Sequence, residues 1–148
     1  LRFFTVYGPW GRPDMAAFIF IRNILAGEPI PVFNHGDMKR DFTYIDDIVA
    51  GVMACLDTPP AGNGGKPPCR LYNLGNNVSE PLMRFISVLE DALGKKAEID
   101  FQPLQMGDVP ETFADITESQ RDFGFEPKTP IDEGLSRLVE WYRDYYGA

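Results

Sequence analysis

At 148 residues the chain is long enough to bury one real core and too short for two ordinary domains. Hydrophobic residues make up 44% and charged residues 24%, the balance of a soluble globular chain. No run approaches the roughly 18 apolar residues of a membrane span, and a net charge of −8 argues against nucleic acid or an anionic membrane as main partner.

Residues 1–7 alternate β-formers and predict a buried strand, which begins abruptly and without an initiator Met. Tyr7-Gly-Pro-Trp-Gly-Arg-Pro13 is a loop, and Pro13 can open a helix to about Ala26. That helix is apolar nearly all round, so it is expected to be sandwiched. Ile30–Phe33 predicts a short strand, Asn34–Asp37 a turn and Arg40–Tyr44 a second strand. Asp46 is placed to cap a helix to Leu56, with Ile48, Val49, Val52, Met53 and Leu56 on its apolar face.

Residues 57–70 form a Pro- and Gly-rich loop, expected to be flexible. Leu71–Leu74 predicts a strand. Ser79 or Glu80 is expected to begin a helix to about Leu93, with Leu82, Phe85, Ile86 and Leu89 at helical spacing. Ala97–Gln102 predicts a strand, and Asp115 or Thr117 caps a short helix ending near Phe123-Gly124. A last helix follows Pro130 and carries Ile131, Leu135, Leu138, Tyr142 and Tyr145 on one face. Mixed strands and helices without strict alternation predict an α/β lobe whose first strand joins a larger parallel sheet. Such a lobe leaves an apolar face uncovered, so the isolated chain is expected to dimerise, swap or aggregate.

Charge is uneven. Residues 1–40 carry a net +2 and the rest −10, which places a polyanionic small molecule among the early residues. Cys55 and Cys69 make no disulfide framework, and Cys55 shares an apolar helical face with Ile48 and Val52. With no basic, cleavable leader at the start, a reducing cytoplasm is the expected compartment.

Four segments stand in order: Leu1-Arg-Phe-Phe-Thr-Val-Tyr-Gly-Pro9, Lys39-Arg-Asp-Phe-Thr-Tyr-Ile-Asp-Asp47, Leu71-Tyr-Asn-Leu-Gly75, and Gly107-Asp-Val-Pro110 followed by Ala114-Asp-Ile116. Together they resemble the signatures of extended short-chain dehydrogenases that act on nucleotide sugars, across essentially the whole chain. The loop Trp10-Gly-Arg-Pro-Asp-Met-Ala16 is most similar to UDP-glucuronate 4-epimerases. The resemblance implies the C-terminal, substrate-binding lobe of a Rossmann-type fold that lacks most of the NAD-binding parallel sheet.

By the same resemblance, Thr5 and Arg12 contact the sugar carboxylate. A forked guanidinium ahead of a helix N-terminus is chemically apt for that anion. Arg40 grips the diphosphate, where the rival reading is a surface ion pair with Asp37 or Asp46. Val32 and Phe33 match positions that hold uracil, against ordinary core packing. Asp108 accepts from the ribose hydroxyls. Gln105 stands where relatives often carry a second phosphate-binding arginine, and it brings no charge.

His35, the only histidine, is expected to be an exposed turn residue. Asp46-Asp47 read better as a helix cap than as a metal or acid/base pair, and no Cys/His cluster has zinc spacing. There is no Gly-rich strand–helix turn for the NAD pyrophosphate and no Tyr-x-x-x-Lys pair, since Tyr44, Tyr72 and Tyr142 each lack a lysine four residues on. The implied parent uses NAD, bound mainly outside this chain, to interconvert UDP-glucuronate and UDP-galacturonate by oxidation and reduction at C4. It pairs as a homodimer through the missing half, and this chain alone is expected to be inactive. The rivals are a 4-epimerase or 4,6-dehydratase of a neutral nucleotide sugar, and a non-catalytic UDP-sugar-binding module.

Overall fold

The computed structural model describes residues 1–62, 65 and 68–148. The opening extended run is not one strand. It breaks at Phe4 into β1 (Arg2–Phe3) and β2 (Thr5–Tyr7), because the two pieces pair on opposite sides. β1 runs parallel to β5 (Asn73–Leu74), whereas β2 runs parallel to β4 (Lys39–Tyr44), with Thr5 opposite Phe42 and Tyr7 opposite Tyr44. The expected burial holds only at the end of the run: Leu1 and Phe3 are about half exposed, at 47% and 49%, and Tyr7 is buried.

β4 is the hub. Its first half also pairs antiparallel with β6 (Ser79–Pro81), setting Arg40 opposite Glu80. Ser79 and Glu80 are therefore strand rather than helix start, and the helix α3 spans Leu82–Leu93 after Pro81. Proline suits that junction, since its fixed φ is compatible with both and its missing N–H is no loss at a helix start. A separate parallel pair joins β3 (Ile30–Val32) to β7 (Ile99–Phe101).

Helix α1 spans Ala16–Ala26, three residues later than Pro13 suggested, because Arg12–Met15 form a turn closed by the Met15 amide donating to the Arg12 carbonyl. It buries Phe18, Phe20, Ile21 and Ile24, as its all-round apolar character implied. The last helix, α5 (Ile131–Tyr146 among the described residues), lies against α3 and buries Ile131, Leu135, Leu138 and Tyr142, while Tyr145 is exposed. Two further helices precede it in the chain, α2 (Ile45–Asp57) and α4 (Thr117–Phe123). The main core joins α1, α3 and α5 to the inner faces of β2, β3 and β4 around the fully buried Phe85. Burying a side chain of that size contributes about 2–3 kcal/mol.

Helix α2 departs from its sequence pattern. Ile48 is buried, but Val49, Met53 and Leu56 are more than half exposed, so most of its apolar face is uncovered in this chain. Asp46 does not cap it; Tyr44 holds the cap position, with no side-chain cap hydrogen bond. Asp47 instead accepts from the amides of Lys128 (3.1 Å) and Thr129 (3.0 Å), pinning the approach to α5. A smaller core of Ile48, Leu74, Ala114, Ile116 and Phe125 lies beneath α2. The flexible-loop expectation for 57–70 falls partly outside the described residues. Among the described residues, no helix is long and apolar enough to cross a membrane.

Candidate functional site

The strand ends on one side of β4 surround a cleft of about 330 Å³. Thr5 comes from β2, Arg40 and Phe42 from β4, and Phe33 from the turn that follows β3. Ile19 and Phe20 of α1, Leu82 of α3, and the carboxylate residues Asp14 and Asp108 also line it. The cleft is thus apolar within, with one cation and two carboxylates: the profile of a site for a small molecule with a flat apolar part and a polar, charged part.

Arg40 is the best-held cation. Its Nη1 donates to the carbonyls of Lys39 (2.8 Å) and Pro110 (3.2 Å), and Nη2 donates to Asp108 at 2.7 Å. Its side chain is only 16% exposed, against 36% for Asp108, so this pair is screened less than a surface one. The pairing with Asp37 or Asp46 weighed from the sequence does not occur. Asp108 closes its own short turn by accepting from the Val109 amide at 2.8 Å.

Arg12 lies on a neighbouring cleft of about 390 Å³ with Phe3, Tyr7, Gly8, Trp10 and Ile45, and Met15 lines both clefts. Its guanidinium engages Asp14 through Nε (3.1 Å) and Nη2 (2.5 Å). The pair is solvated, and each partner favours the other's charged form, chiefly through that hydrogen bond: the Asp14 carboxyl is held below its usual range and the Arg12 guanidinium above its own. The Nη1–Nη2 edge of Arg12 is the one not committed to Asp14. The loop that carries it is braced by Trp10, whose ring packs edge-on against Trp141 and Tyr145 of α5.

Thr5, Phe33, Arg40 and Asp108 are therefore brought together, and Arg12 adjoins them across Met15. Two expected residues are placed elsewhere. Val32 is fully buried in the core, and its carbonyl accepts from the Gln102 amide at 2.9 Å. Gln105 is exposed and does not line the cleft; its carbonyl receives the Asp108 amide in a turn at 3.1 Å. Sequence reasoning missed Asp14 and Asp41. The available signal for Asp41 was an acidic residue inside a strand whose flanks, Phe42 to Tyr44, are all buried. His35 is exposed, as expected for its turn. Among the described residues no group of three acidic, Cys or His side chains is placed to hold a metal.

The family model described as "NAD dependent epimerase/dehydratase family" matches residues 1–75, which include β1 to β5 and the Arg12 and Arg40 segments. The chain belongs to the NAD-dependent epimerase/dehydratase family. It is 50% identical over 156 aligned positions to UDP-glucuronate 4-epimerase 2 of Arabidopsis thaliana, covering 99% of this chain and 36% of that one. It is 46% identical to protein CapI of Staphylococcus aureus, covering 99% of this chain and 47% of CapI. The chain thus spans half or less of these curated relatives.

Among solved structures, UDP-glucuronic acid 4-epimerase from Bacillus cereus in complex with UDP-glucuronic acid and NAD superposes with a TM-score of 0.85. That match is 33% identical and covers 98% of this chain and 45% of the other. MoeE5 in complex with UDP-glucose and NAD gives 0.86 at 32% identity, covering 98% and 46%. The fold is accordingly the α/β lobe of a Rossmann-type extended short-chain dehydrogenase.

The family is NAD-dependent, and the Gly-bearing loop between β2 and α1 can be compared with what that cofactor needs. A dinucleotide cradle needs free backbone N–H groups at a Gly-rich turn. In the β2–α1 loop, Pro9 and Pro13 have no N–H, and the Gly11 amide turns inward to the Gly8 carbonyl at 3.3 Å. The β2–α1 loop is therefore not itself a dinucleotide cradle.

Proposed function

We propose that this chain is the UDP-sugar-gripping part of a nucleotide-sugar 4-epimerase that interconverts UDP-glucuronate and UDP-galacturonate. The observation that carries the reading is the meeting of Arg40 and Asp108 at 2.7 Å, across 68 residues of sequence, on the edge of an apolar cleft. In this reading the guanidinium binds the diphosphate, the carboxylate accepts from the ribose hydroxyls, and Phe33 is an apolar wall for the base. The likeness to UDP-glucuronate 4-epimerases supports the same ligand class.

In this reading Arg12 meets the sugar carboxylate with its Nη1–Nη2 edge, and Thr5 donates from the adjoining strand. Two parallel N–H···O bonds fix a carboxylate in orientation as well as in place. NAD, held by residues beyond this chain, supplies the redox step at C4. The chain's residues hold the nucleotide while the sugar turns over, and Arg12 keeps the carboxylate of a keto-uronate from leaving as CO₂. Residues 1–7 join the larger NAD-binding sheet, a role supported by the half-exposed Leu1 and Phe3. The dimer contact of the whole protein is placed outside this chain.

The neutral-sugar reading draws support from MoeE5, a structural neighbour with UDP-glucose bound. Turnover of UDP-glucuronate and UDP-glucose by the full-length protein separates the two. The proposal expects a clear preference for the uronate. Equal turnover, or preference for UDP-glucose, overturns it, and binding without turnover of either favours a non-catalytic UDP-sugar module.

A further inference from the structure

We propose that Asp41 is a positioning residue for the nucleotide grip: its buried carboxylate fixes the segment that carries Asp108 against the strand that carries Arg40. The inference rests on the reading above, in which Arg40 and Asp108 hold the nucleotide. Asp41 lies in β4 next to Arg40 and is fully buried. One carboxylate oxygen accepts from the Asn76 amide at 2.6 Å and the Thr43 hydroxyl at 3.1 Å. The other accepts from the Ala114 amide at 3.0 Å. The Asp41 amide in turn donates to the Thr112 hydroxyl at 3.3 Å.

Those bonds tie together three stretches distant in sequence: β4, the turn after β5, and residues 112–114. The third stretch needs a tether. From Leu104 to Ile116 there is no helix or multi-residue strand to position it, only a single bridge between Lys39 and Glu111. Asp108 lies six residues before Ala114 and reaches Arg40 only because this segment runs alongside β4, where Lys39 donates to the Pro110 carbonyl at 2.8 Å. Asp41 does not line the cleft, so its effect on a ligand passes through Asp108 and Arg40.

The chemistry calls for a carboxylate. All three partners of the Asp41 side chain are donors, and a carboxylate is acceptor-only. An asparagine would turn an NH₂ toward at least one N–H. Burial strips the side-chain oxygens of water, and these three hydrogen bonds replace it. Space is equally committed: a Cβ on Gly75 would stand 3.1 Å from the Asp41 Oδ1 and closer still to the Ala114 methyl. The conjunction of Asp41, Gly75 and Ala114 thus joins the second, third and fourth signature segments in one knot behind the site.

The test is calorimetric titration of the full-length protein with UDP, using Asp41→Asn, Arg40→Ala and the control Leu89→Ala. Leu89 is a fully buried residue of α3 in the main core, outside both the knot and the cleft lining. At a temperature where each is folded by circular dichroism, Asp41→Asn is expected to weaken UDP at least tenfold and to speed amide exchange at Val109–Ala114. Leu89→Ala, with a comparable loss of melting temperature, is expected to bind UDP within twofold of the parent. Wild-type affinity in folded Asp41→Asn, or equal weakening in Leu89→Ala, overturns the positioning role. If Asp41→Asn does not fold, Thr43→Val removes one donor in an isosteric change. A two- to fivefold weakening then supports the proposal and none overturns it. Unchanged UDP affinity in Arg40→Ala instead overturns the reading of the site, and the positioning role falls with it.

Discussion

Gly134 of α5 lies flush against the phenol of Tyr7: a Cβ built there would stand 2.8 Å from the Tyr7 Cζ and nearer still to its hydroxyl oxygen. Tyr7 ends β2 and packs edge-on against Phe42, Tyr44 and Phe85, so the absence of a side chain at Gly134 lets α5 seat on the sheet. Gly134→Ala is therefore expected to lower stability by about 1–3 kcal/mol through overpacking. Helix propensity alone would favour alanine by about 1 kcal/mol. Thermal unfolding followed by circular dichroism separates the effects by sign, and a raised melting temperature would contradict the packing account.

Tyr7 carries a second consequence. Its hydroxyl is buried with no hydrogen-bond partner among the described residues, and burial, with Asp47 adding to it, pushes its pKa well above the usual phenol range. An unsatisfied buried hydroxyl costs on the order of 1–3 kcal/mol. Tyr7→Phe is expected to hold or raise the melting temperature, and to leave UDP affinity within twofold. A marked fall in stability would show that the hydroxyl is satisfied in solution.

The role proposed for Arg12 is the choice of sugar rather than the hold on the nucleotide. Arg12→Ala in the full-length protein is expected to weaken UDP-glucuronate tenfold or more and to change UDP-glucose and UDP by less than twofold. It is also expected to raise release of CO₂ during turnover. Titration with the three ligands and trapping of CO₂ check both parts. Parallel losses for all three ligands would place Arg12 on the diphosphate instead.

The acid limb of stability has a named contributor. Asp122 accepts from Arg121 (2.6 Å), Tyr72 (2.8 Å) and Arg70 (2.8 Å), and these donors, Arg121 foremost, hold its carboxyl down at about 2. A group with a lowered folded-state pKa stabilises above its unfolded value and loses that contribution as pH falls through the folded one. The contribution of Asp122 is thus full above about pH 4 and fades toward pH 2. Asp122→Asn is expected to flatten the urea midpoint across that window. An unchanged slope would show the cluster to be solvated.

Much of the helical core was legible from periodicity. The all-round apolar character of α1 implies that it is sandwiched, and the apolar spacings of α3 and α5 place Phe85 and Leu138 inward, as found. Strand limits were not, because pairing partners far away in sequence set them. The run 1–7 divides at Phe4 between β5 and β4, and Ser79–Pro81 becomes strand because Arg40 and its neighbours offer an edge. Asp47 likewise serves the amides of residues 128 and 129 rather than its own helix. On α2, the stripe Val49, Met53 and Leu56 has helical spacing but finds no cover among the described residues.

The site was half legible. Family signatures singled out Thr5, Phe33, Arg40 and Asp108, which the fold gathers around one cleft, and Arg12 beside it. They also singled out Gln105, which a turn carries out to solvent, and Val32, which the core absorbs. Asp41 lies within the second signature segment, Lys39–Asp47. Its role depends on amides 35 and 73 residues away, which no local pattern reveals.

The central claim is that Arg40, held beside Asp108, grips the nucleotide. It is tested most directly by titrating UDP-glucuronate into the full-length protein and its Arg40→Ala variant. Loss of a charge-assisted pair of hydrogen bonds to a diphosphate corresponds to about 1.5–3 kcal/mol, or roughly 10- to 150-fold in Kd. A weakening in that range, in a variant that remains folded by circular dichroism, is the expected result. A Kd within twofold of the parent's would contradict the account.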